Sequence, residues 1–174
     1  MGRSVLLVIA YLGCLKAGLA FMPLDYRLPV DRLRLMVQSA KCRLMLTSGE
    51  GPLCGEIDSI DLAQETQIML FTPIVTLPVV RAHQLSNIVY TSGSTGAPKA
   101  VMLEHRGMVN LCAPETTNWP GKLNTALATS IGFDPSGFQI FSTLLGGSTL
   151  YCLTNNIHFD AQEYQAFLIK YSEC

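Results

Sequence analysis

Strand-like and helix-like segments alternate along this chain, and this alternation restricts its fold more than any other feature. Residues 29–41 (PVDRLRLMVQSAK) carry apolar side chains at helical spacing. Residues 43–48 (RLMLTS) then form a short apolar run that ends in turn-forming residues. Because strands and helices keep alternating towards the C-terminus, the sequence predicts an α/β fold with a mixed, mostly parallel sheet flanked by helices.

The hydrophobic pattern also predicts where the other elements lie. Residues 5–17 are predicted to form a buried helix and residues 20–25 a short strand. Residues 49–66 have a weak pattern, and we expect a surface connection there. Further strands are predicted at NIVYTS, AVMLEH, NTALATSI and STLYCL. Further helices are predicted in HRGMVNLCAPET, FDPSGFQIFSTLLGG and DAQEYQAFLIKY, the last with Asp160 as its N-cap.

The charge content excludes some classes of partner. Charged residues make up 14% of the 174 residues, and the formal net charge is −1. Soluble domains usually carry about 25% charged residues. A chain without a basic patch is not predicted to bind nucleic acid or a membrane surface. The low polarity is typical either of an internal part of a larger soluble protein or of a membrane protein.

The N-terminal apolar run leaves two interpretations open. Residues 5–15 are apolar and follow Arg3, which is the arrangement of a signal peptide. The run is too short to span a bilayer, which takes about 20 apolar residues. The alternative is the buried helix described above.

The cysteines predict a reducing compartment. Six cysteines occur, at positions 14, 42, 54, 112, 152 and 174. No C-x-x-C pair or zinc-type spacing with histidine is present in the sequence. We therefore expect free thiols and a cytoplasmic protein without a disulfide framework.

The loop TSGSTGAPK, residues 91–99, is the strongest candidate for a binding site. Glycines allow backbone N–H groups to approach a ligand closely, hydroxyls add donors, and a lysine adds positive charge. Together these groups predict an anion site, and in particular a phosphate site. The Walker A and dinucleotide patterns are absent from the sequence, and a flexible hairpin connection is the alternative. The candidate ligands are Thr91, Ser92, Gly93, Ser94, Thr95, Gly96 and Lys99.

Three stretches resemble one family. IVYTSGSTGAPKAVMLEHRGMVNL is similar to the phosphate-loop motif of adenylate-forming enzymes, in particular the adenylation domains of nonribosomal peptide synthetases. LKAGLAFMPLDYRLPVDRLRLMVQSAKCRLMLTS and FDPSGFQIFSTLLGGSTLYCL resemble the motifs before and after it, in the family's order. The resemblance covers nearly the whole chain. It implies that residues 1–174 are the N-terminal part of a partial AMP-binding domain with no second domain, and it favours the buried helix over a signal peptide.

The resemblance also implies an activity. Such enzymes join ATP and a carboxylate into an acyl-adenylate and pyrophosphate, then pass the acyl group to a phosphopantetheine thiol on a carrier protein domain. The loop residues would hold phosphate, Lys99 would assist them, and Mg²⁺ would accompany ATP. No residue of this chain is expected to be catalytic.

The F-D turn is the clearest indication of a substrate. In peptide-synthetase relatives, the aspartate at the position of Asp134 pairs with the α-ammonium group of an amino acid. The alternative role for Asp134 is the N-cap of a helix, because Pro135 suits the first helical position. The resemblance implies that Pro135 and Phe138 line the side-chain pocket.

Two departures from the family pattern affect these expectations. Ala100 stands where the family usually has glycine, which would cost about 1 kcal/mol if that backbone required a positive φ. The adenine, ribose and C-terminal lysine motifs do not occur in these 174 residues. We therefore expect no amino-acid-dependent pyrophosphate exchange from the isolated chain. An inactive remnant and a simple phosphate-binding module are the alternatives to an activating ligase.

Overall fold

A computed structural model describes residues 1–49, 57–64, 76–92, 98–113, 124–153 and 160–171. The helices in these ranges are α1 (Val5–Lys16), α2 (Val30–Ser39), α3 (His105–Cys112), α4 (Asp134–Leu145) and α5 (Ala161–Tyr171). The strands are β1 (Leu44–Thr47), β2 (Asp58–Asp61), β3 (Leu85–Ser92), β4 (Pro98–Glu104), β5 (Thr125–Leu127) and β6 (Leu150–Cys152).

The described strands pair in three sets of two. β1 pairs with β2 and β5 pairs with β6, both in parallel, whereas β3 and β4 are antiparallel. Helix α4 contacts β5 and β6, and α3 contacts both β3 and β4. This arrangement confirms the predicted α/β class with mostly parallel pairing.

Two of the predicted secondary-structure assignments are wrong. Strand β2 lies inside residues 49–66, where we expected a surface connection. Its backbone pairs with β1, and the Asp61 carboxylate accepts hydrogen bonds from Gly49 N at 2.7 Å and Ala63 N at 3.0 Å. The expected strand over residues 20–25 is reduced to a single parallel bridge between Phe21 and Asn87.

Helix α1 forms as predicted and packs into the core. Ser4 caps it, because its hydroxyl accepts a hydrogen bond from Leu7 N at 3.2 Å. The Tyr11 ring stacks on Phe21 with centroids 4.0 Å apart, and Phe21 in turn contacts Phe141 of α4 at 6.2 Å. The Phe21 ring therefore lies between the rings of Tyr11 in α1 and Phe141 in α4 and connects the two helices.

The described cysteines form no disulfides, and no described helix could span a membrane. None of the four described cysteines, at positions 14, 42, 112 and 152, forms a disulfide. Burial raises the thiol pKa of Cys14, Cys112 and Cys152. Within the described ranges, every helix is too short or too polar to cross a bilayer.

Candidate functional site

The β3–β4 hairpin carries the described part of the predicted phosphate loop. Thr91 lies directly opposite Lys99, and Ser92 lies opposite Pro98. The side chains of Thr91, Ser92 and Lys99 are exposed. Gly93, Ser94, Thr95 and Gly96 lie outside the described residues. The hairpin therefore has hydroxyl groups and an ammonium group accessible at the end next to residues 93–97.

The two faces of this hairpin have different roles. The Tyr90 hydroxyl donates a hydrogen bond to Met36 O of α2 at 2.9 Å, so the Tyr90 face is anchored to the protein. Successive strand residues point to opposite faces, so Thr91 points away from α2. Residues directly opposite in an antiparallel pair share a face, with Cβ atoms about 5 Å apart. Thr91 and Lys99 therefore lie together on the face that α2 leaves open, where both can contact one anion.

Ala100 lies in strand β4, opposite Tyr90. Among the described non-glycine residues, only Lys41 has a positive φ. The condition for the expected cost, a positive φ at position 100, is therefore not met, because the backbone is extended there and accommodates alanine without strain.

The F-D turn leads directly into α4. Phe133 occupies the N-cap position, Asp134 is the first helical residue, and Pro135 follows in the first turn. No side chain caps this helix, so the alternative role of Asp134 as an N-cap is wrong. Ser136 is buried and its hydroxyl donates to Phe133 O at 2.7 Å. That buried hydrogen bond stabilises the turn, whereas the Asp134 side chain stays exposed to solvent.

Asp134 is exposed and forms no hydrogen bond or ion pair with the described residues. Its position in the first turn of α4 suits a carboxylate, because the helix dipole is positive there. Phe138 lies one turn further along the same face, is half-buried, and packs against the core. Asp134 and Phe138 thus place a carboxylate and an aromatic ring next to each other on one face of α4. Pro135, beside Asp134, is also exposed.

Helix α3 connects the hairpin to the F-D turn. It begins directly after β4 and packs against α4. The contact is close at Gly137, where an added Cβ would lie 3.3 Å from Met108 Cε. Because α3 contacts both β4 and α4, it fixes the position of the hairpin relative to the F-D turn.

Sequence reasoning missed two residues that position this site. Tyr90 ties the hairpin to α2, and Ser136 ties the F-D turn together. The serine could have been found, because it stands inside the quoted stretch FDPSGFQIFSTLLGGSTLYCL. Tyr90 also stands inside a quoted motif, but the sequence does not reveal its partner, because that partner is a main-chain oxygen 54 residues away along the chain.

The described residues near the hairpin do not form a site for a metal ion. Hydroxyls of Thr91 and Ser92 are present, but Mg²⁺ prefers carboxylate oxygens together with phosphates. Nowhere in the described ranges do three potential ligands of the His, Cys, Asp or Glu type cluster. The expectation of Mg²⁺ therefore rests on the nucleotide and not on these residues.

Solved structures share this fold. The N-terminal subdomain of Klebsiella oxytoca NpsA, in complex with 3-hydroxybenzoyl-AMSN, matches with a TM-score of 0.84 at 24% identity, covering 98% of this chain and 43% of that one. Holo-AB3403, a four-domain nonribosomal peptide synthetase bound to AMP and glycine, matches with a TM-score of 0.80 over 98% of this chain and 13% of that one, at 24% identity. At these identities the likeness establishes the fold alone.

Sequence relatives identify the family. Gramicidin S synthase 2 of Brevibacillus brevis is 36% identical over 169 residues, which is 95% of this chain and 4% of that protein. Tyrocidine synthase 2 of Brevibacillus parabrevis is 35% identical over 177 residues, 97% of this chain and 5% of that protein. The chain thus spans about a twentieth of these relatives. The AMP-binding enzyme model matches residues 1–172, so the chain belongs to the AMP-binding enzyme family.

Proposed function

We propose that residues 1–174 act as part of the N-terminal domain of an enzyme that activates an amino acid with ATP for nonribosomal peptide synthesis. The observation that carries the proposal is the match to the AMP-binding family over residues 1–172, with all three quoted motifs inside it. The accessible Thr91–Lys99 pair supports it, as does the exposed Asp134 carboxylate, which has no partner among the residues that the structure describes.

The hairpin is proposed to bind the β- and γ-phosphates of ATP. A carboxylate attacks the α-phosphorus, so the other two phosphates must be held still and their charge balanced. Lys99 supplies that charge, and the Thr91 hydroxyl donates from the same face. Ser92, Gly93, Ser94, Thr95 and Gly96 complete the proposed set of phosphate ligands.

Asp134 is proposed to bind the α-ammonium group of the substrate. Because Asp134 pairs with none of the described residues, its carboxylate can bind a cation without first breaking a bond to any of them. Phe138 would contact the substrate side chain as an apolar wall, and Pro135 would border the same pocket.

The remaining components of the reaction are proposed for the complete enzyme. Mg²⁺ would arrive with ATP, and phosphopantetheine on a carrier protein domain would accept the acyl group. Holo-PA1221, a solved structure with 20% identity to this chain, contains adenylation and PCP domains. We also propose a cytoplasmic location, which the absence of disulfides among the four described cysteines supports.

A chimeric enzyme tests the proposal. The part of this chain that aligns with Gramicidin S synthase 2 replaces the matching segment of that enzyme, and pyrophosphate exchange into ATP is measured with each of the common amino acids. Asp134→Asn should raise the KM for the amino acid roughly thirtyfold, or about 2 kcal/mol, because a charged partner is left unpaired. Lys99→Ala should weaken ATP binding about tenfold. Lys16→Ala, which removes an exposed lysine at the end of α1, is the control.

Binding to the 174-residue chain separates the alternatives. Equilibrium dialysis with ATP should detect weaker binding by Lys99→Ala than by Lys16→Ala. Equal binding by both variants would remove the phosphate role of the hairpin. Phosphate binding by the isolated chain, together with a chimera that exchanges no pyrophosphate, would favour a simple phosphate-binding module.

A further inference from the structure

The β3–β4 hairpin changes register near its base, which is the end where β4 runs into α3. At the base Leu85 lies opposite Glu104, and the next pair towards the tip joins Asn87 to Leu103. Strand β3 therefore advances two residues where β4 advances one, so Ser86 is an extra residue in β3. From there to the tip, the end next to residues 93–97, the described register is unbroken. A β-bulge at Ser86 thus separates the base of the hairpin from its tip.

The backbone hydrogen bonds agree with this bulge. Just before β3, Gln84 O accepts a hydrogen bond from the first amide of α3 at 2.9 Å, on the β4 side. On the other side of β3, Phe21 bonds to Ser86 O at 3.2 Å and to Ile88 N at 2.9 Å. Asn87, between those two residues, therefore faces β4. Gln84 and Asn87 face the same strand although they are three residues apart, and a regular strand allows only even separations.

The side chains at the bulge are polar and buried. Ser86 is 1% exposed and Asn87 is 3% exposed. The Ser86 hydroxyl donates to Leu103 O across the hairpin at 3.1 Å and to Asn87 Oδ1 at 2.8 Å. Buried strand positions usually carry valine or isoleucine, because a buried hydroxyl without a partner is unfavourable. The serine at this position supplies β4 with a donor where the bulge interrupts the backbone ladder.

The bulge decides which residue lies beside Lys99. Continued to the tip without an extra residue, the Leu85–Glu104 register would pair Lys99 with Tyr90. Lys99 would then share the face of the hairpin that the Tyr90 hydroxyl anchors to α2. With the extra residue, Lys99 lies opposite Thr91, on the face that α2 leaves open. The base and the tip can therefore each keep their own register only because β3 is one residue longer than β4 between them.

We propose that Ser86 is a positioning residue for phosphate binding, because its hydroxyl holds the bulge that places Lys99 opposite Thr91. The inference rests on the proposed phosphate role of the hairpin. Ser86 itself touches no phosphate in this arrangement, since it lies five strand positions from Thr91, or about 17 Å along β3. Its influence on the site passes entirely through the register.

Nuclear Overhauser contacts between α-protons of facing residues measure the register in the full chain. Such protons approach closely only in antiparallel pairs that are not hydrogen-bonded to each other. Tyr90, like Ser86, directs its backbone groups away from β4, so Tyr90 and Ala100 form such a pair. The wild type should therefore show a Tyr90–Ala100 contact. Ser86→Ala should weaken that contact and show a Tyr90–Lys99 contact in its place.

Equilibrium dialysis with ATP measures the consequence for binding. Ser86→Ala should weaken ATP binding about fivefold, because the hydrogen bonds that favour the bulge are lost. Lys99→Ala alone should weaken it about tenfold, but only about twofold in the Ser86→Ala background, where the ammonium group has left the open face. A merely structural role of Ser86 would leave the effect of Lys99→Ala at tenfold in both backgrounds.

Deletion of Ser86 is the sharper variant. It removes the extra residue, so the base pair continues directly into the observed tip pairs as one regular ladder. The deletion should therefore keep the Tyr90–Ala100 contact and the tenfold effect of Lys99→Ala, although it is a larger change than Ser86→Ala. If Ser86→Ala fails to fold, Ser86→Cys, which offers only a weak donor, replaces it.

Thr143→Val is the matched control. It removes an equally buried hydroxyl, which donates to Gln139 O at 2.6 Å within α4, and it should change neither the register nor ATP binding. An unchanged register in the folded Ser86 variants, or a Tyr90–Lys99 contact in the deletion, would overturn the proposal. A shifted register with wild-type ATP binding would also overturn it. If Lys99→Ala binds ATP as the wild type does, the proposed function fails instead, and the α-proton contacts alone decide whether Ser86 sets the register.

Discussion

Replacing Tyr11 by phenylalanine should stabilise the protein, which is unusual for a change in a core. The residue is 4% exposed, and its ring stacks on Phe21 with 18° between the ring planes. Its hydroxyl is buried without a hydrogen-bond partner among the described residues. An unsatisfied buried hydroxyl costs about 1–3 kcal/mol. Tyr11→Phe keeps the stack and removes that cost, so the free energy of unfolding should rise by about 1 kcal/mol at neutral pH.

The gain should grow at alkaline pH. Burial raises the pKa of Tyr11 above its ordinary value, and the nearby Cys14 adds to the shift. Because the folded-state pKa is the higher one, the unfolded chain loses its proton first, at about pH 10. The wild-type stability therefore falls as the pH rises above 10, by up to about 1.4 kcal/mol per pH unit for this one proton. Tyr11→Phe removes that part of the slope.

Urea unfolding between pH 7 and pH 11, followed by circular dichroism, measures both effects. The contrasting variant is Tyr90→Phe, whose hydroxyl does have a partner, Met36 O at 2.9 Å. It should lose about 1 kcal/mol at neutral pH. A loss of stability in Tyr11→Phe, or an alkaline slope equal to that of the wild type, would refute the reasoning, since either result means that the Tyr11 hydroxyl is satisfied.

Three further changes test the packing and charges by urea unfolding. Ile140→Ala, at a core position with 0% exposure, should cost about 3 kcal/mol, and a cost below 1 kcal/mol would contradict the packing. Asp25→Asn should lower the free energy of unfolding by about 1 kcal/mol above pH 5 and leave it unchanged near pH 2. The hydrogen bond from Arg27 lowers the pKa of Asp25, so the stability that the ionised carboxylate contributes is lost as the pH falls. Gly18→Ala should cost about 1 kcal/mol or more, since φ is +70° there and the new Cβ would lie 3.0 Å from Pro78 Cγ; an unchanged midpoint would show that the turn adapts.

The helices were predictable because local signals agree with their packing. At α5 the sequence offers Asp160 before the helix, and its carboxylate indeed accepts from Gln162 N at 2.8 Å and from Glu163 N at 3.1 Å. At the end of α4 the sequence offers two glycines, and the helix ends at Leu145 with Gly147 in the left-handed region at φ +68°. Caps and C-terminal glycines act within a few residues, so a single sequence reveals them.

Strand β2 was not predictable for the opposite reason. Its four residues include Asp58 and Asp61, which disfavour a strand assignment. Its pairing with β1 comes from backbone groups and from the turn that Asp61 stabilises. Such pairing depends on residues that are distant in the sequence, and the hydrophobic pattern does not record it.

The candidate site was predictable in its residue types but not in its geometry. A one-residue slip between β3 and β4 would turn Lys99 to the Tyr90 face, against α2, and leave Thr91 without a cation beside it. The observed register avoids this because Val89 pairs with Val101, which aligns the apolar positions of both strands, and because Tyr90 is fixed to Met36. The chemistry proposed for the hairpin therefore depends on residues that would never contact a phosphate: apolar pairing sets the register, and the register decides which hydroxyl lies beside Lys99.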